Sequence, residues 1–389
     1  MLDAIFKRNS LVFVEISHYS INCTNYHYIC GGNMYKINIE HLRPGMVIGK
    51  TISSSDGIVL LSEGLTIKEH YIDKLIESGI SEICVRIDEL SEVKIIDIIQ
   101  EENRQTAKIL TKQTMEKINM GDEFSTAKIT EIVSTIIEDL LNDEGIILNL
   151  SDIRAVDDYT FDHCVNVCVL SIVTGIALGY DKEKLLKLGV GAILHDIGKI
   201  LVSQEILNKP GALEKKEYDE IKKHAELGYH TIIRHTELDT SSMMVILEHH
   251  ERYNGTGYPA GKKRNEIHEF SRIVAIADVY DALTSDRVYK KRICPSEAIE
   301  HLVSMSNHDF DHEILEKFLK HVTSYPIGTM VLLNSGIRGV VSGKNNDYPS
   351  RPKVKCIMDQ SGNKIKYNAE LELIYHPSVT ITKVLEDIS

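Results

Sequence analysis

Seven residues in the middle of the chain offer imidazole or carboxylate donors: His163, His195, Asp196, His224, His249, His250 and Asp278. The successive groups lie 25 to 32 residues apart. Each interval fits one helix plus one turn, so a helical bundle can aim all seven at one interior point. Imidazoles and carboxylates gathered in this way make a site for two first-row divalent metals. Such a site lowers the pKa of a bound water from about 16 to about 7, and the hydroxide so formed suits in-line attack on a phosphate ester. His163, His195 and Asp278 would complete one metal's shell, and His224, His249 and His250 the other's. Asp196, with two oxygens, would bridge them. Adjacent residues on a regular helix point about 100° apart. His249 and His250 can therefore both be ligands only where their helix ends or distorts. Lys199, one turn beyond Asp196, would reach a substrate phosphate oxygen. Nitrogen and oxygen donors without thiolates suit Mn, Fe, Co or Ni. His308-Asp309 repeats the dipeptide without the surrounding spacing, and Asp311 fits a helix N-cap better than a ligand.

The elements that must carry these groups read as mainly α over residues 145–325. The run TFDHCVNVCVLSIVTGIALG is nearly all apolar, Asp181 caps the next helix, and further helices fit 214–235, 240–250 and 270–284. Between 251 and 269, Asn254-Gly255, Gly257, Pro259 and Gly261 mark a long loop, and such loops inside a compact domain are usually functional. Residues 35–90 read as a small α/β module, with a hairpin signal at Asp56-Gly57 and a helix over 66–78. Residues 91–144 hold two linker helices, broken near Gly121. They would relay a signal, form a homodimer stalk over 91–142, or simply pack on the next domain. Residues 326–389 return to short β-rich runs. Residues 1–34 form a poorly defined extension, with Met34 a second candidate start.

The chain has 389 residues, 43% of them hydrophobic and 26% charged. A formal net charge of −13 argues against a partner that is a nucleic acid polymer, which needs clustered Lys and Arg. A small anionic substrate held by metals is still compatible. No apolar run reaches the roughly 18 residues of a membrane span, so no membrane insertion is expected. The seven cysteines form no paired CxxC motifs and read as thiols of a reducing cytoplasm.

At HDIGK (195–199), HAELG (224–228), HHERYNGTGYPAG (249–261) and RIVAIADVYDALTSDRVYK (272–290), the chain resembles the HD-GYP family, a subset of the HD phosphohydrolase superfamily. The N-terminal LRPGMVIGKTI also resembles a module that often precedes this domain. The resemblance implies an HD-type helical bundle and hydrolysis of cyclic di-GMP to pGpG or on to GMP. It also implies the seven metal ligands named above, with Fe or Mn as the leading pair of ions, and Lys199 near the scissile phosphate. It further implies that Gly257, Tyr258 and Pro259, with Arg287 and Lys290, hold the nucleotide. Two departures stand out. Three-metal members carry Glu four residues before the first ligand histidine, where this chain has Tyr159, and Asp157 and Asp158 are out of register. Two metals are therefore expected, which puts complete degradation to GMP in doubt. The usual RPYK reads RVYK here. Asp281, one turn after Asp278, is expected to brace a ligand or cap locally and not to bind metal. The sequence leaves open another cyclic dinucleotide or nucleotide as substrate, and a module that binds without turnover.

Overall fold

A computed structural model describes residues 28–29, 34–39, 42–53, 59–78, 80, 82–86, 99–142, 159–207, 209, 211, 213–234, 238–285, 293–345, 348–365 and 369–385. Arg287 and Lys290, Asp157 and Asp158, and the Asp56-Gly57 turn lie outside these residues, as does most of the 1–34 extension. The described residues fall into two compact units. One lies within Ile98–Leu148 and Arg154–Val322, the other within Ile21–Asp97 and Thr323–Ser389.

The second unit is built on sheets. Strands β1 (Tyr28–Ile29), β2 (Met34–Asn38), β3 (Val47–Ile48), β4 (Ile52–Ser53), β5 (Val59–Leu61) and β6 (Glu82–Arg86) surround helix α1 (Glu69–Glu77) in the chain. Four of the strands form an antiparallel sheet in the order β1-β2-β6-β3, and β4 pairs with β5. Strands β7 (Met330–Leu333), β8 (Arg338–Gly343), β9 (Lys353–Met358), β10 (Glu370–Glu372) and β11 (Ile381–Val384) form a second antiparallel sheet in the order β10-β9-β8-β7-β11. Ile37, Ile48 and Val85 share one core with Met330, Val340 and Ile357. The N- and C-terminal segments, separate in the sequence reading, thus bury apolar surface together. Cys84 is disulfide-bonded, which departs from the expectation that every cysteine is a thiol. Cys164, Cys168, Cys294 and Cys356 are free and buried.

The first unit is helical. It holds α2 (Glu101–Met120), α3 (Ala127–Leu141), α4 (Tyr159–Ala177), α5 (Lys182–Ile193), α6 (Gln204–Leu207), α7 (Lys215–Lys222), α8 (His224–Ile232), α9 (Thr240–Glu248), α10 (Glu269–Thr284), α11 (Pro295–Ser304) and α12 (His312–Leu319). A helix apolar all round is buried all round, and α4 obeys this. Val165, Val167, Val169, Leu170, Ile172 and Val173 are all buried, and α2, α5 and α10 pack around them. Helix α10 is likewise enclosed, from Ile273 to Leu283. A polar side chain on either helix is costly unless it finds a partner. Helix α3 is instead amphipathic. Ile129, Ile132, Val133, Ile136, Ile137 and Leu140 face inward at helical spacing and pack toward α5.

Local chemistry sets the boundaries of these helices. The Asp181 carboxylate accepts from the Lys184 backbone N–H at 2.8 Å and starts α5, as the sequence indicates. Asp311 does the same for α12 through Glu313 and Ile314. The single helix read over 214–235 is instead two, α7 and α8, which meet at Lys223. The break puts His224 on the first turn of α8. Among the described residues, no helix is long and apolar enough to cross a membrane.

Candidate metal centre

The 3-10 turn Ile197–Leu201 leaves α5 directly after His195-Asp196 and packs against α8. Gly198 makes this approach possible. A Cβ there would lie 1.9 Å from the His224 carbonyl oxygen and 2.6 Å from the Gly228 nitrogen. The glycines of HDIGK and HAELG thus let two backbones meet, and the meeting carries Asp196 to His224. Helix α9 stops at Glu248, so His249 and His250 sit in the turn beyond it, not on a regular helix.

The Asp196 carboxylate is the pivot. Its Oδ1 lies 3.4 Å from His224 Nε2 and 3.7 Å from His249 Nε2. Its Oδ2 lies 3.3 Å from His195 Nε2, 3.8 Å from His163 Nε2 and 2.5 Å from Lys199 Nζ. Asp278 faces His163 Nε2 through Oδ1 at 3.1 Å and His250 Nδ1 through Oδ2 at 3.8 Å. All seven residues read from the spacing therefore gather in one place. Two groups can each hold a cation: Asp196, His224, His249 and His250, and His163, His195 and Asp196. His308 and Asp309 pair with each other and with Asn254.

The donor chemistry fits a cation. His163 Nδ1 is 2.7 Å from Asp281 Oδ2, His195 Nδ1 is 2.7 Å from the Ala192 carbonyl, and His224 Nδ1 is 2.7 Å from the Ile221 carbonyl. His249 Nδ1 lies 3.1 Å from the carbonyls of Val245 and Ile246. At His195, His224 and His249 a carbonyl at Nδ1 fixes the proton there and turns the Nε2 lone pair inward. His224 Nε2 and His249 Nε2 then face each other at 3.3 Å, lone pair against lone pair. His195 Nε2 and Asp196 Oδ1 are buried and have no hydrogen-bond partner. A neutral pair of acceptors in that position is repulsive, and a cation between them relieves it.

The acid–base balance agrees. Burial lowers the His224 imidazole to about 3 and also lowers His249 and His250. All three are unprotonated at neutral pH, as ligands must be. Burial would raise Asp196, but Lys199 and His195 outweigh it and hold the carboxyl well below its usual range. His163 behaves differently. Burial alone would lower it, yet Asp278 and Asp281 win and raise it to about 9. Without a metal, His163 is thus an imidazolium between two carboxylates, and a metal held at Nε2 would have to displace the proton there. The folded pKa lies above the unfolded 6.5. The metal-free protein therefore gains full stabilisation from this group below pH 6.5 and loses it as pH rises through about 9. Metal binding has the opposite dependence. Apparent affinity for Mn(II) should rise about tenfold per pH unit between 6.5 and 9, with one proton released per chain. Calorimetric titrations in buffers of different ionisation enthalpy would check this, and a flat affinity would contradict it.

The loop after α9 is tied down by two carboxylates that the sequence did not single out. Glu251 accepts the backbone N–H groups of Ala260, Gly261 and Lys262 at 2.7, 3.1 and 3.0 Å. Glu248 takes the His268 N–H at 2.8 Å and the Lys262 ammonium at 2.5 Å. Gly257 is enclosed, and a Cβ there would meet Arg252 N and His250 O at 2.4 and 2.5 Å. The Tyr258–Pro259 peptide is cis. The Tyr258 ring stacks on His250, with centroids 4.7 Å apart, and meets His224 edge-on at 6.4 Å. One face of Tyr258 thus supports the His250 ring, and burial keeps its phenol protonated. No periodicity or spacing marks Glu248 or Glu251, since their partners are backbone amides of an irregular loop.

The family model for the HD domain matches residues 136–314, and the model for a KOW domain associated with HD domain matches 330–388. The chain is 32% identical over 318 residues to a protein named cyclic di-GMP phosphodiesterase from Pseudomonas aeruginosa, covering 82% of this chain and 75% of that relative. A cyclic di-GMP phosphodiesterase from Thermotoga maritima is 36% identical over 199 residues, covering 51% of this chain and 54% of the relative. A 3′3′-cGAMP-specific phosphodiesterase from Vibrio cholerae is 32% identical over 196 residues, covering 49% of this chain and 43% of the relative. The first match spans both units. Together with the histidine–aspartate cluster and the enclosed Gly257-Tyr258-Pro259 turn, it means that the chain belongs to the HD-GYP family of HD-domain phosphodiesterases.

Proposed function

We propose that the chain hydrolyses cyclic di-GMP at a two-metal centre, giving pGpG as its main product. The observation that carries the metal reading is the pair of inward-facing nitrogens, His224 Nε2 and His249 Nε2, at 3.3 Å beside a buried, unpartnered Asp196 oxygen. His163, His195 and Asp278 would hold one ion, His224, His249 and His250 the other, and Asp196 would serve both. Iron or manganese suits this thiolate-free donor set. When bound, the ions make water a nucleophile at neutral pH and offset phosphate charge. Lys199 is paired with Asp196 in the metal-free protein. With cations beside Asp196, its ammonium would be released to pair with a phosphate oxygen of the substrate. Gly257, Tyr258, Pro259, Arg287 and Lys290 hold the nucleotide, the two cations gripping phosphate or guanine edges.

Residues 145–325 form the catalytic domain in this reading, preceded by the module 35–90 and linker 91–144 and followed by the β-rich unit 326–389. The location is cytoplasmic, where a cyclic dinucleotide signal would be degraded. A homodimer through 91–142 would rest on few large apolar side chains. Among the described residues of α2 and α3 these are Ile109, Met120 and Leu141.

The name of the Vibrio cholerae relative supports a second reading, with 3′3′-cGAMP as substrate. Full-length protein purified without oxygen, loaded with Fe(II) or Mn(II), should convert cyclic di-GMP to pGpG in preference to 3′3′-cGAMP. A chelator should stop the reaction. Binding without product would remove the enzyme reading, and faster cleavage of 3′3′-cGAMP would remove the substrate assignment.

A further inference from the structure

Two neighbouring turns of α2 and α4 are fastened by polar contacts in a matched spacing. On α2, Arg104 and Lys108 are one turn apart, and on α4 so are Asp162 and Asn166. Arg104 Nη1 donates to Asn166 Oδ1 at 2.9 Å, and Lys108 Nζ pairs with Asp162 Oδ2 at 2.9 Å. The first contact does not end there. Asn166 Nδ2 donates to Asp281 Oδ1 at 2.9 Å, and Asp281 Oδ2 holds His163 Nδ1 at 2.7 Å. Ser285 Oγ also donates to Asp281 Oδ2, at 2.9 Å. Arg104, Asn166, His163 and Asp281 are all buried. Each link fixes the orientation of the next. The guanidinium, which can only donate, turns the Asn166 carbonyl toward α2 and therefore its amide N–H toward Asp281. That bond and the Ser285 hydroxyl leave Asp281 facing the His163 Nδ1 proton, which aims Nε2 at Asp196 and Asp278.

We infer that Arg104, on the linker helix, is a positioning residue for the metal centre, acting through Asn166 and Asp281 on His163. The inference rests on the metal reading of His163. Helix α2 also packs against the 3-10 turn that carries Lys199. Among the described residues it is the first element of the helical unit to follow the α/β module in the chain. A shift of α2 along α4 would break the Arg104 link and loosen a metal ligand with no change in the ligand set. Lys108 supplies an internal control. It sits on the same helix and fastens the same two helices, but through Asp162, whereas Arg104 donates to Asn166, the residue that holds Asp281.

The test uses full-length protein and compares Arg104→Met, Asn166→Ala, Lys108→Met and His163→Ala. The readouts are Mn(II) affinity by calorimetry and, in the metal-free protein, the downfield proton resonance of His163 Nδ1–H. Arg104→Met and Asn166→Ala should each weaken Mn(II) binding about tenfold or more, in the range known for groups that orient metal ligands, and should shift or broaden the resonance. Their double variant should be no worse than Asn166→Ala alone, since both break one chain. Lys108→Met should leave affinity and resonance unchanged. Equal losses in Arg104→Met and Lys108→Met would reduce the contact to helix packing and overturn the inference. So would full affinity in Arg104→Met while His163→Ala loses metal. If Arg104→Met does not fold, Asn166→Ala and Arg104→Gln decide by the same criteria. Unaltered metal binding in His163→Ala would instead bring down the metal reading itself.

Discussion

Replacing Asp196 with asparagine should lower turnover of cyclic di-GMP by about a thousandfold or more and strip metal from the protein. The substitution keeps the size of the side chain and removes its charge. Asp196 is the residue that approaches both halves of the cluster, with Oδ1 toward His224 and His249 and Oδ2 toward His163 and His195. A two-metal centre makes water more acidic by nearly nine pK units, or roughly 12 kcal/mol of nucleophile availability at neutral pH. Losing even a third of that, about 4 kcal/mol, is a thousandfold in rate. Steady-state assay with metal analysis, alongside a melt to show that the variant folds, would read the effect. Activity within tenfold of the parent would refute the pivotal role.

Gly198→Ala should have the largest structural effect of any single methyl addition near the site. The new Cβ would lie 1.9 Å from the His224 carbonyl oxygen, far inside van der Waals contact, and both neighbours are backbone. Backbone has no rotamer to give, so the 3-10 turn and α8 must separate. Overpacking of this kind costs about 3 kcal/mol or more. The separation would also pull Asp196 away from His224, so metal affinity should fall together with the melting temperature. Gly343→Ala is the comparison substitution, because the added Cβ there would meet only the flexible Lys353 side chain, at 3.2 to 3.5 Å. A Gly198→Ala variant with parental melting temperature and metal content would mean the turn does not set the distance.

The clustering of the seven side chains was legible because successive groups lie one helix apart, and donor type and helix length are both written in the sequence. The helical class of residues 159–319 and the caps at Asp181 and Asp311 followed from periodicity and local chemistry in the same way. The devices that aim the ligands were not legible. The partners of the Nδ1 atoms are mostly main-chain carbonyls, which every residue possesses, so no residue type signals them. Glu251 binds three amides of an irregular loop, and nothing in the spacing distinguishes it from a solvated acid. The link from Arg104 to His163 joins residues 59 positions apart through Asn166 and Asp281, and such pairings exist only once the helices pack. The break between α7 and α8 was missed because Lys223 is an ordinary helix residue. Its backbone keeps right-handed helical angles, φ −64° and ψ −17°, across the junction.

Metal stoichiometry tests the central claim most directly. Full-length protein titrated without oxygen should take up two Fe(II) or Mn(II) ions per chain, measured by elemental analysis after desalting. His163→Ala and His224→Ala, one from each half of the cluster, should each lose about one ion. A parent protein that cleaves cyclic di-GMP with no metal bound, or two single-histidine variants that both keep two ions, would contradict the account.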